Sequence, residues 1–527
     1  MKEIKELKFE ELTIEQKLGM VSIATINTRQ NPEYEEYVFD LIRNHSLGCL
    51  WIQQGYDDKD DMPGLVKKAK EIADYPLIIV QDAESGVMEF MVGKHNAIGV
   101  AGSEKHAYAF GKCIGVTARN MGYNMLCDPV VDMKNGSARS MGLDKEKVAS
   151  LAVAMAKGMH DAGILTVAKH YPGGSDAKAI DSHMAEGISE DTVEDLKNYY
   201  LYPYQRLLEE GLLDGIMTQH KRYVNIDDTR PATLSKKMID IIRDMGFNGV
   251  VLTDALCMMG IKAKYGLVEA KGLAVNAGVD LMLHWRQDNK TDFDAVTESF
   301  NNGEIDMEAL DAAVKRVLAT QKKTMAQPKY NSLTEEDIKT FESINKDCIY
   351  AKTDENIPLS ISREGKHLFI VLVRNGMKLS EGGKMEVDTY TTDWHKPLEL
   401  EKKILELFPN STVRMLDQFP GPMQCAGALT AATKHDDVVF ITFSEQMAYT
   451  GPEHITRRIE NVITAMQHSG QICAIVHFGN PNVLGNIDHT PRYIIGAQSQ
   501  KCELAAMEIL AGLYPANGKP TYKVDLK

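Results

Sequence analysis

Short apolar segments alternate with amphipathic helical segments over residues 1–325, and this alternation restricts the fold more than any other feature of the chain. It is typical of βα units, in which each helix crosses over to the next parallel strand of one sheet. We predict strands at residues 47–52, 77–81, 125–131, 165–170, 215–220, 249–253 and 279–284, and helices at 145–162, 192–210, 235–245 and 268–277. Seven strands over this length favour an α/β fold of the (β/α)8 TIM barrel type over an open Rossmann sheet, although no segment identifies the eighth strand.

A second, smaller unit is predicted after residue 355. Residues 325–330 form a polar segment that contains Pro328 and interrupts the alternation, which is typical of a linker. We predict a helix at 334–351, followed by an α/β sandwich with strands at 367–373, 437–442 and 472–478 and helices at 397–408, 452–469 and 500–513. The predicted organisation is a barrel at 1–325, a linker and helix at 326–355, and a C-terminal sandwich domain at 356–527.

The charge balance excludes two classes of partner. The net charge is -15, so the chain lacks the excess of Lys and Arg that non-specific nucleic-acid binding and attachment to anionic lipid require. The first ten residues carry alternating charges, and no uncharged run approaches the roughly 20 residues of a membrane span. We therefore expect no secretory signal and no membrane partner.

The eight cysteines are scattered without a CxxC pair, which favours buried thiols in a reducing cytoplasm.

Residues 169–183 concentrate ionisable side chains behind one predicted strand. The apolar run 164–168 leads directly into Lys169 and His170, Pro and Gly residues then form a loop, and Asp181-Ser182-His183 closes it. A core strand gains nothing in packing from ionisable residues at its C-terminal end. A barrel enzyme places its reactive groups there.

Other predicted strands also end in polar side chains. Because the C-terminal ends of parallel strands meet at one rim of a barrel, we expect these residues to surround a single active site. They are Asp82 and Glu84, Asp128 and Asp132, His220, Asp254, and His284 with Trp285.

Two of these positions have both a catalytic and a structural interpretation. Asp254 follows the apolar run 249–253 and is either a nucleophile that forms a covalent intermediate with a sugar carbon or a cap of the next helix. His183 is suited to acid/base catalysis because an imidazole can take both roles near neutral pH and Asp181 can orient it. The alternative for His183 is a loop hydrogen bond without catalysis.

Four further side chains are suited to binding a sugar. Lys169 and His170 can donate to substrate hydroxyls, Asp82 can accept from two neighbouring hydroxyls, and Arg139 can donate to the same sugar. Arg139 can equally be a surface charge, and Trp285 can stack on a pyranose face or plug the barrel mouth.

The same residues leave two other chemistries open. Lys169 alone suits a Schiff-base enzyme, which needs a desolvated amine. A metal site could use His170, His183, His220 and Asp254, although the first predicted strand lacks the His-x-His pair that would complete it.

Several segments together match the motif pattern of one enzyme family. They are residues 13–20, 124–132 with Arg139, 231–235 with 249–256, 479–481, 516–520 and, most specifically, Lys169-His170-Tyr171-Pro172-Gly173 with Asp181-Ser182-His183. In these segments the chain resembles glycoside hydrolase family 3, and in particular its β-N-acetylglucosaminidase branch.

The resemblance implies a mechanism and a role for each matching residue. It implies a cytoplasmic, retaining exo-glycosidase, without a metal or other cofactor, that removes terminal β-linked N-acetylglucosamine, as a monomer or homodimer. The implied nucleophile is Asp254, the acid/base is His183 with its partner Asp181, and the sugar-binding residues are Asp82, Arg139, Lys169 and His170.

Two departures from the family pattern leave the substrate more open than the reaction type. Gly173-Gly174-Ser175 stands where the family usually has Gly-His-Gly, and Glu84-Ser85-Gly86-Val87 lacks the Arg of Glu-Gly-Gly-Arg. A neutral imidazole in place of a second carboxylate would also let phosphate approach. The alternatives are therefore a β-N-acetylglucosaminide phosphorylase, a β-glucosidase-like enzyme and a non-catalytic carbohydrate-binding protein.

Overall fold

The first unit is a closed barrel of parallel strands. The computed structural model describes residues 4–26, 32–52, 61–176, 181–283, 289–374, 376–379, 385–388, 394–444, 454–524 and 526. Within these residues, eight neighbouring strands pair in parallel, and a bridge between Leu252 and Leu281 closes the ring. The strands are β1 (Ser22–Ile26), β2 (Cys49–Ile52), β3 (Ile78–Asp82), β4 (Met125–Cys127), β5 (Leu165–Tyr171), β6 (Gly215–Thr218), β7 (Val250–Thr253) and β8 (Met282–Leu283). The predicted TIM barrel is confirmed.

The eighth strand, which the sequence did not reveal, is β1. It pairs with β2 on one side and with β8 on the other. Only Val21 separates β1 from the helix Ile14–Met20, which a capping box at Thr13 begins. A five-residue segment of mixed polarity that follows a helix so closely cannot be told from the end of that helix by periodicity.

Helices surround the barrel, and short strands extend its rim. The hairpin Gly86–Val87 with Phe90–Met91 follows β3, and a small sheet of Gly187–Ser189, Lys221–Tyr223 and Asp227–Pro231 lies beyond β5 and β6. The helices are Ile14–Met20, Pro32–Arg43, Met62–Ile72, Lys94–Ala101, Glu104–Met121, Lys145–Asp161, Val193–Asp195, Tyr202–Glu209, Lys236–Asp244, Met259–Lys262, Leu267–Ala277, Asn289–Asn301 and Met307–Lys323.

In the described residues of the second unit, a six-stranded sheet is covered by helices, which confirms the predicted α/β sandwich. Its strands are β9 (Tyr350–Thr353), β10 (His367–Val373), β11 (Thr412–Asp417), β12 (Asp437–Phe443), β13 (Ile472–Phe478) and β14 (Arg492–Gly496), in the order β9-β14-β13-β12-β10-β11. All are parallel except β9. The helices Pro397–Leu407 and Gln500–Leu510 pack together, as do Pro422–Ala432 and Arg457–His468. Right-handed crossovers in opposite directions put these two pairs on opposite faces.

One helix joins the two units. The predicted helix at 334–351 is shorter, Glu335–Asp347, and the chain then enters the antiparallel edge strand β9. The Phe341 ring stacks on Phe110 of a barrel helix at 6.1 Å and meets Phe90 edge-on at 5.1 Å. The boundaries proposed at 325 and 355 remain an interpretation. Across the described residues, none of the helices combines the length and apolar character needed to cross a bilayer.

Candidate active site

Cations and carboxylates form a network at the C-terminal rim of β3 and β5. The Lys169 ammonium lies 2.5 Å from Asp82 Oδ1 and 2.8 Å from Glu84 Oε1. Arg139, on the loop after β4, donates to both oxygens of Glu84, with Nε at 2.8 Å and Nη2 at 2.6 Å. Half of the Asp82 side chain is exposed, so one face of this network is free to meet a ligand.

Lys169 and Glu84 are both charged in this network. Burial opposes the charged form of Lys169, but Asp82 and Glu84 outweigh burial and raise the pKa of the ammonium. Burial likewise acts against Glu84, yet Arg139 and Lys169 hold the pKa of its carboxyl well below the usual range. Lys169 is therefore a permanent cation, whereas a Schiff-base lysine needs a neutral amine.

His170 lies between two charged groups, Asp132 and Arg139. Its Nδ1 lies 2.7 Å from Asp132 Oδ2, and its Nε2 lies 2.9 Å from Nη2 of Arg139. A guanidinium can only donate, so Nε2 accepts and Nδ1 carries the proton. Burial would raise the pKa of Asp132, but His170 and Arg139 lower it to about 2.

Asp254 lies at the end of β7 and faces His170. Its Oδ2 is 4.0 Å from His170 Nε2, and its Oδ1 accepts the Ala255 N–H at 2.7 Å. Burial acts to raise the pKa of Asp254, but His170, His220, the Ala255 N–H and Arg139 outweigh it and lower the pKa. The carboxylate is thus ionised while 23% of the side chain stays exposed, the state that a nucleophile needs.

His183 and Asp181 form a pair on the loop after β5. The His183 Nδ1 is 2.7 Å from Asp181 Oδ1, which also accepts the His183 backbone N–H at 3.0 Å. The segment after Asp254 holds this loop, because the Met259 N–H donates to the His183 carbonyl at 3.3 Å and the Gly260 N–H to the Ser182 carbonyl at 3.1 Å.

His220 lies between the nucleophile candidate and the His183 loop. Burial lowers the pKa of His220, His183 and His170 lower it further, and Asp254 opposes them. Each ring nitrogen of His220 has a protein partner, Thr233 Oγ1 at 2.8 Å and the Ala255 carbonyl at 3.0 Å.

The structure brings most of the predicted site residues together and adds two. Asp82, Lys169, Arg139 and His170 are linked by direct contacts, His170 faces Asp254, and the Asp181–His183 pair sits on the segment after Asp254. Glu84 and Asp132 were visible as strand-end carboxylates but were left out of the predicted set. Residues 177–180, His284 and Trp285 lie outside the described residues. Within the described part of the chain, no three His, Cys, Asp or Glu side chains are grouped as metal ligands.

Comparison with known proteins links this geometry to one family. Residues 11–320 match the family described as the glycosyl hydrolase family 3 N-terminal domain. A β-hexosaminidase of Tolumonas auensis is 30% identical over 259 residues, which are 46% of this chain and 77% of that protein.

Two solved structures share the fold of nearly the whole chain. The glycoside hydrolase family 3 β-N-acetylglucosaminidase from Paenibacillus sp. FPU-7 superimposes with a TM-score of 0.81 at 23% identity, covering 97% of this chain and 99% of that one. A β-glucoside phosphorylase superimposes with a TM-score of 0.79 at 20% identity, covering 98% and 94%. At these identities the likeness is one of fold.

Proposed function

Because this chain belongs to glycosyl hydrolase family 3 and is a glycoside hydrolase, we propose that it is a retaining exo-glycosidase that releases terminal β-linked N-acetylglucosamine or a related N-acetylhexosamine. The family membership confirms the resemblance noted in the sequence. The name of the Tolumonas auensis relative, a β-hexosaminidase, supports the N-acetylhexosamine as the sugar.

The proposed reaction has two steps. A carboxylate oxygen of Asp254 bonds to the anomeric carbon while the bond from that carbon to the leaving oxygen breaks, and protonated His183 gives its proton to that oxygen. Neutral His183 then takes a proton from water. The resulting hydroxide attacks the anomeric carbon and displaces Asp254, so the β configuration is retained.

One observation carries this proposal, namely the anchored Asp181–His183 pair beside an ionised Asp254. The carboxylate of Asp181 at 2.7 Å stabilises an imidazolium, which suits His183 to donate a proton. The backbone bonds from Met259 and Gly260 tie that loop to the segment that follows Asp254. A pyranose above β7 would then have the nucleophile on one side and the proton donor on the other.

The charged network is suited to hold the hydroxyls of that pyranose. Asp82 can accept from two neighbouring hydroxyls. Lys169, Arg139 and His170 either donate to the sugar or hold the donating side chains in place. Because their charges are compensated by Glu84 and Asp132, these side chains are oriented before the sugar arrives. We also assign the enzyme to the cytoplasm, which the eight free thiols support, five of them buried.

The proposal is tested by varying the leaving group. For His183→Ala we expect a loss of roughly 10²- to 10⁴-fold in kcat/KM on a β-N-acetylglucosaminide with an alkoxide leaving group. The loss is small with 2,4-dinitrophenol, which needs no proton. Asp254→Ala abolishes activity on both substrates. The matched control is His45→Ala, because His45 also has an Asp partner, Asp74 at 2.6 Å, but precedes β2 at the opposite end of the barrel.

Other outcomes would overturn parts of the proposal. Full activity of Asp254→Ala rejects the nucleophile, and an equal loss on both substrates for His183→Ala rejects the acid/base role. The assays include a panel of aryl β-glycosides with and without inorganic phosphate. Sugar 1-phosphate as the main product identifies a phosphorylase, and preference for the glucoside rejects the N-acetyl specificity.

A further inference from the structure

The loop that carries Arg139 is held by the second unit. We call residues 134–143 the Arg139 loop and residues 518–524 the C-terminal strap. The strap leaves the second unit and runs back along the barrel rim, where the Lys519 N–H donates to the Val100 carbonyl at 3.0 Å. The two segments then meet at both ends of the Arg139 loop.

The contacts at the ends of the loop are direct. The Lys523 N–H donates to Asn135 Oδ1 at 3.1 Å, and the Leu143 N–H donates to the Thr521 carbonyl at 3.0 Å. Gly142 packs so closely on Thr521 that a Cβ at this position would lie 2.7 Å from the Thr521 Cβ. The strap therefore contacts the Arg139 loop at Asn135, four residues before Arg139, and at Gly142 and Leu143, three and four residues after it.

A turn of the second unit also contacts the Arg139 loop. We call it the Asn480 turn, and it comprises residues 480–482. Gly136 has a φ of +71°, and a Cβ there would lie 2.4 Å from Asn480 Oδ1 and 2.3 Å from Asn482 Nδ2. The Asn482 N–H donates to Asn480 Oδ1 at 3.0 Å, which fixes the Asn480 side chain against the loop. Only glycine combines this backbone conformation with so close an approach.

Internal hydrogen bonds make the Arg139 loop one body. Ser140 Oγ accepts from the Lys134 N–H at 3.1 Å and from the Gly142 N–H at 3.2 Å, and Ser137 Oγ accepts from the Arg139 N–H at 3.3 Å. A shift at either end of the loop is therefore transmitted to the Arg139 backbone. The loop also reaches the segment after β5, since Lys134 pairs with Asp176 at 2.9 Å.

We infer that the C-terminal strap and the Asn480 turn position Arg139 for sugar binding, so that the second unit completes the substrate site of the barrel. This inference rests on the proposed sugar-binding role of Arg139. The Arg139 guanidinium must meet Glu84 and His170 at the same time, and a loop free to shift by about an ångström would lose that geometry. Lys523 and Asn135 are positioning residues in this scheme, because they act through Arg139.

The experiment removes the hydrogen bond between Lys523 and Asn135, first by deleting its donor and then by deleting its acceptor. Lys523→Pro deletes the N–H that Asn135 accepts, and Lys523→Ala is its matched control because it keeps that N–H. Asn135→Ala deletes the acceptor, and Asn135→Asp restores one. We expect Lys523→Pro and Asn135→Ala each to raise KM roughly fivefold, the effect of one hydrogen bond, with kcat changed less than twofold. The two control variants keep the wild-type KM, and all four keep the wild-type unfolding temperature.

A second background shows whether the effect passes through Arg139. In Arg139→Ala, the further change Lys523→Pro leaves KM unaltered, because the residue that the strap positions is gone. A fivefold effect that persists in Arg139→Ala, or equal KM values for Lys523→Pro and Lys523→Ala, overturns the inference.

Failure of the proposed function looks different, since the wild type then turns over another aryl glycoside of the panel or none. The substrate that is turned over serves for the variants. If none is, KM is replaced by the Kd for N-acetylglucosamine or the best-bound monosaccharide, and absence of any sugar binding overturns the inference as well.

Discussion

Glu84 neutralises positive charge on both Arg139 and Lys169 in the sugar-binding network. We expect loss of its carboxylate to weaken both sugar binding and stability. Glu84→Gln keeps the shape but removes the carboxylate that both Arg139 and Lys169 contact directly, while Asp82 and Asp132 remain in the network. We expect kcat/KM to fall roughly 10- to 100-fold as the charged hydrogen bonds to Arg139 and Lys169 weaken. The free energy of unfolding should fall by about 3 kcal/mol, as for a broken buried ion pair. Steady-state kinetics and thermal unfolding measure the two effects. Glu89→Gln, at an exposed neighbouring carboxylate, is the control, and identical behaviour of the two variants contradicts this account.

At the scale of single residues, the sequence predicted which side chains reach the rim but not how they pair. Lys169, His170 and Asp254 follow apolar strands, and a strand end fixes the rim to which a side chain belongs. The bidentate contact of Arg139 with Glu84 joins loops 55 residues apart, and no local pattern records it. Glu84 was therefore noted at a strand end without a partner, as was Asp132. The catalytic roles of Asp254, His183 and Asp181 remain predictions.

The helix Glu335–Asp347 packs one buried aromatic ring against the barrel, which gives a prediction at the scale of the element. Phe341 is fully buried between Phe110 and Phe90. Phe341→Ala removes a large core side chain and should cost about 3–5 kcal/mol of unfolding free energy. Differential scanning calorimetry should show a lower transition temperature for the barrel. Phe341→Leu, which keeps most of the volume, should lose less than half as much, and equal shifts for the two variants would mean that ring packing is not the cause.

The sequence predicted those helices and strands that have a long stretch of regular hydrophobic pattern or clear boundary residues at their ends. The strands β10 and β13 were predicted at their observed bounds, because each is a seven-residue segment with six apolar residues that is clearly bounded on both sides. The strands β9, β11 and β14 were missed. The strands β9 and β11 are half exposed at the two edges of the sheet, so their sequences alternate too weakly to be separated from a loop, whereas β14 is a buried strand of only five residues. The same weakness explains why the predicted helix at 334–351 ran on into β9.

At the scale of the whole molecule, the arrangement of the two units was beyond sequence reasoning. The bond from Lys523 to Asn135 spans 388 positions, and it depends on the strap returning to the barrel after the second sheet is complete. Composition and periodicity describe each unit alone, because hydrophobic patterns report only that a face is buried and not what covers it. The motifs at the strand ends nevertheless identified the correct family, because they can be read from short stretches of sequence.

A buried histidine at this junction should make the stability of the whole molecule depend on pH. His477, at the end of β13, is fully buried, with Nδ1 2.9 Å from Thr442 Oγ1 and Nε2 3.1 Å from the Asn480 carbonyl. Burial lowers the pKa of His477 to about 3, whereas an unfolded histidine titrates near 6.5.

The sign of this pH dependence follows from the two pKa values. Between them the unfolded chain binds a proton that the folded chain does not, so the contribution of His477 is complete above pH ~6.5 and is lost as the pH falls toward ~3. From pH 8 to pH 5 the wild type should lose about 2 kcal/mol more unfolding free energy than His477→Gln, as urea denaturation at each pH would measure. His468→Gln, at a largely exposed histidine, should keep the wild-type slope. A slope for His477→Gln equal to that of the wild type would show that the buried imidazole is not the group that responds.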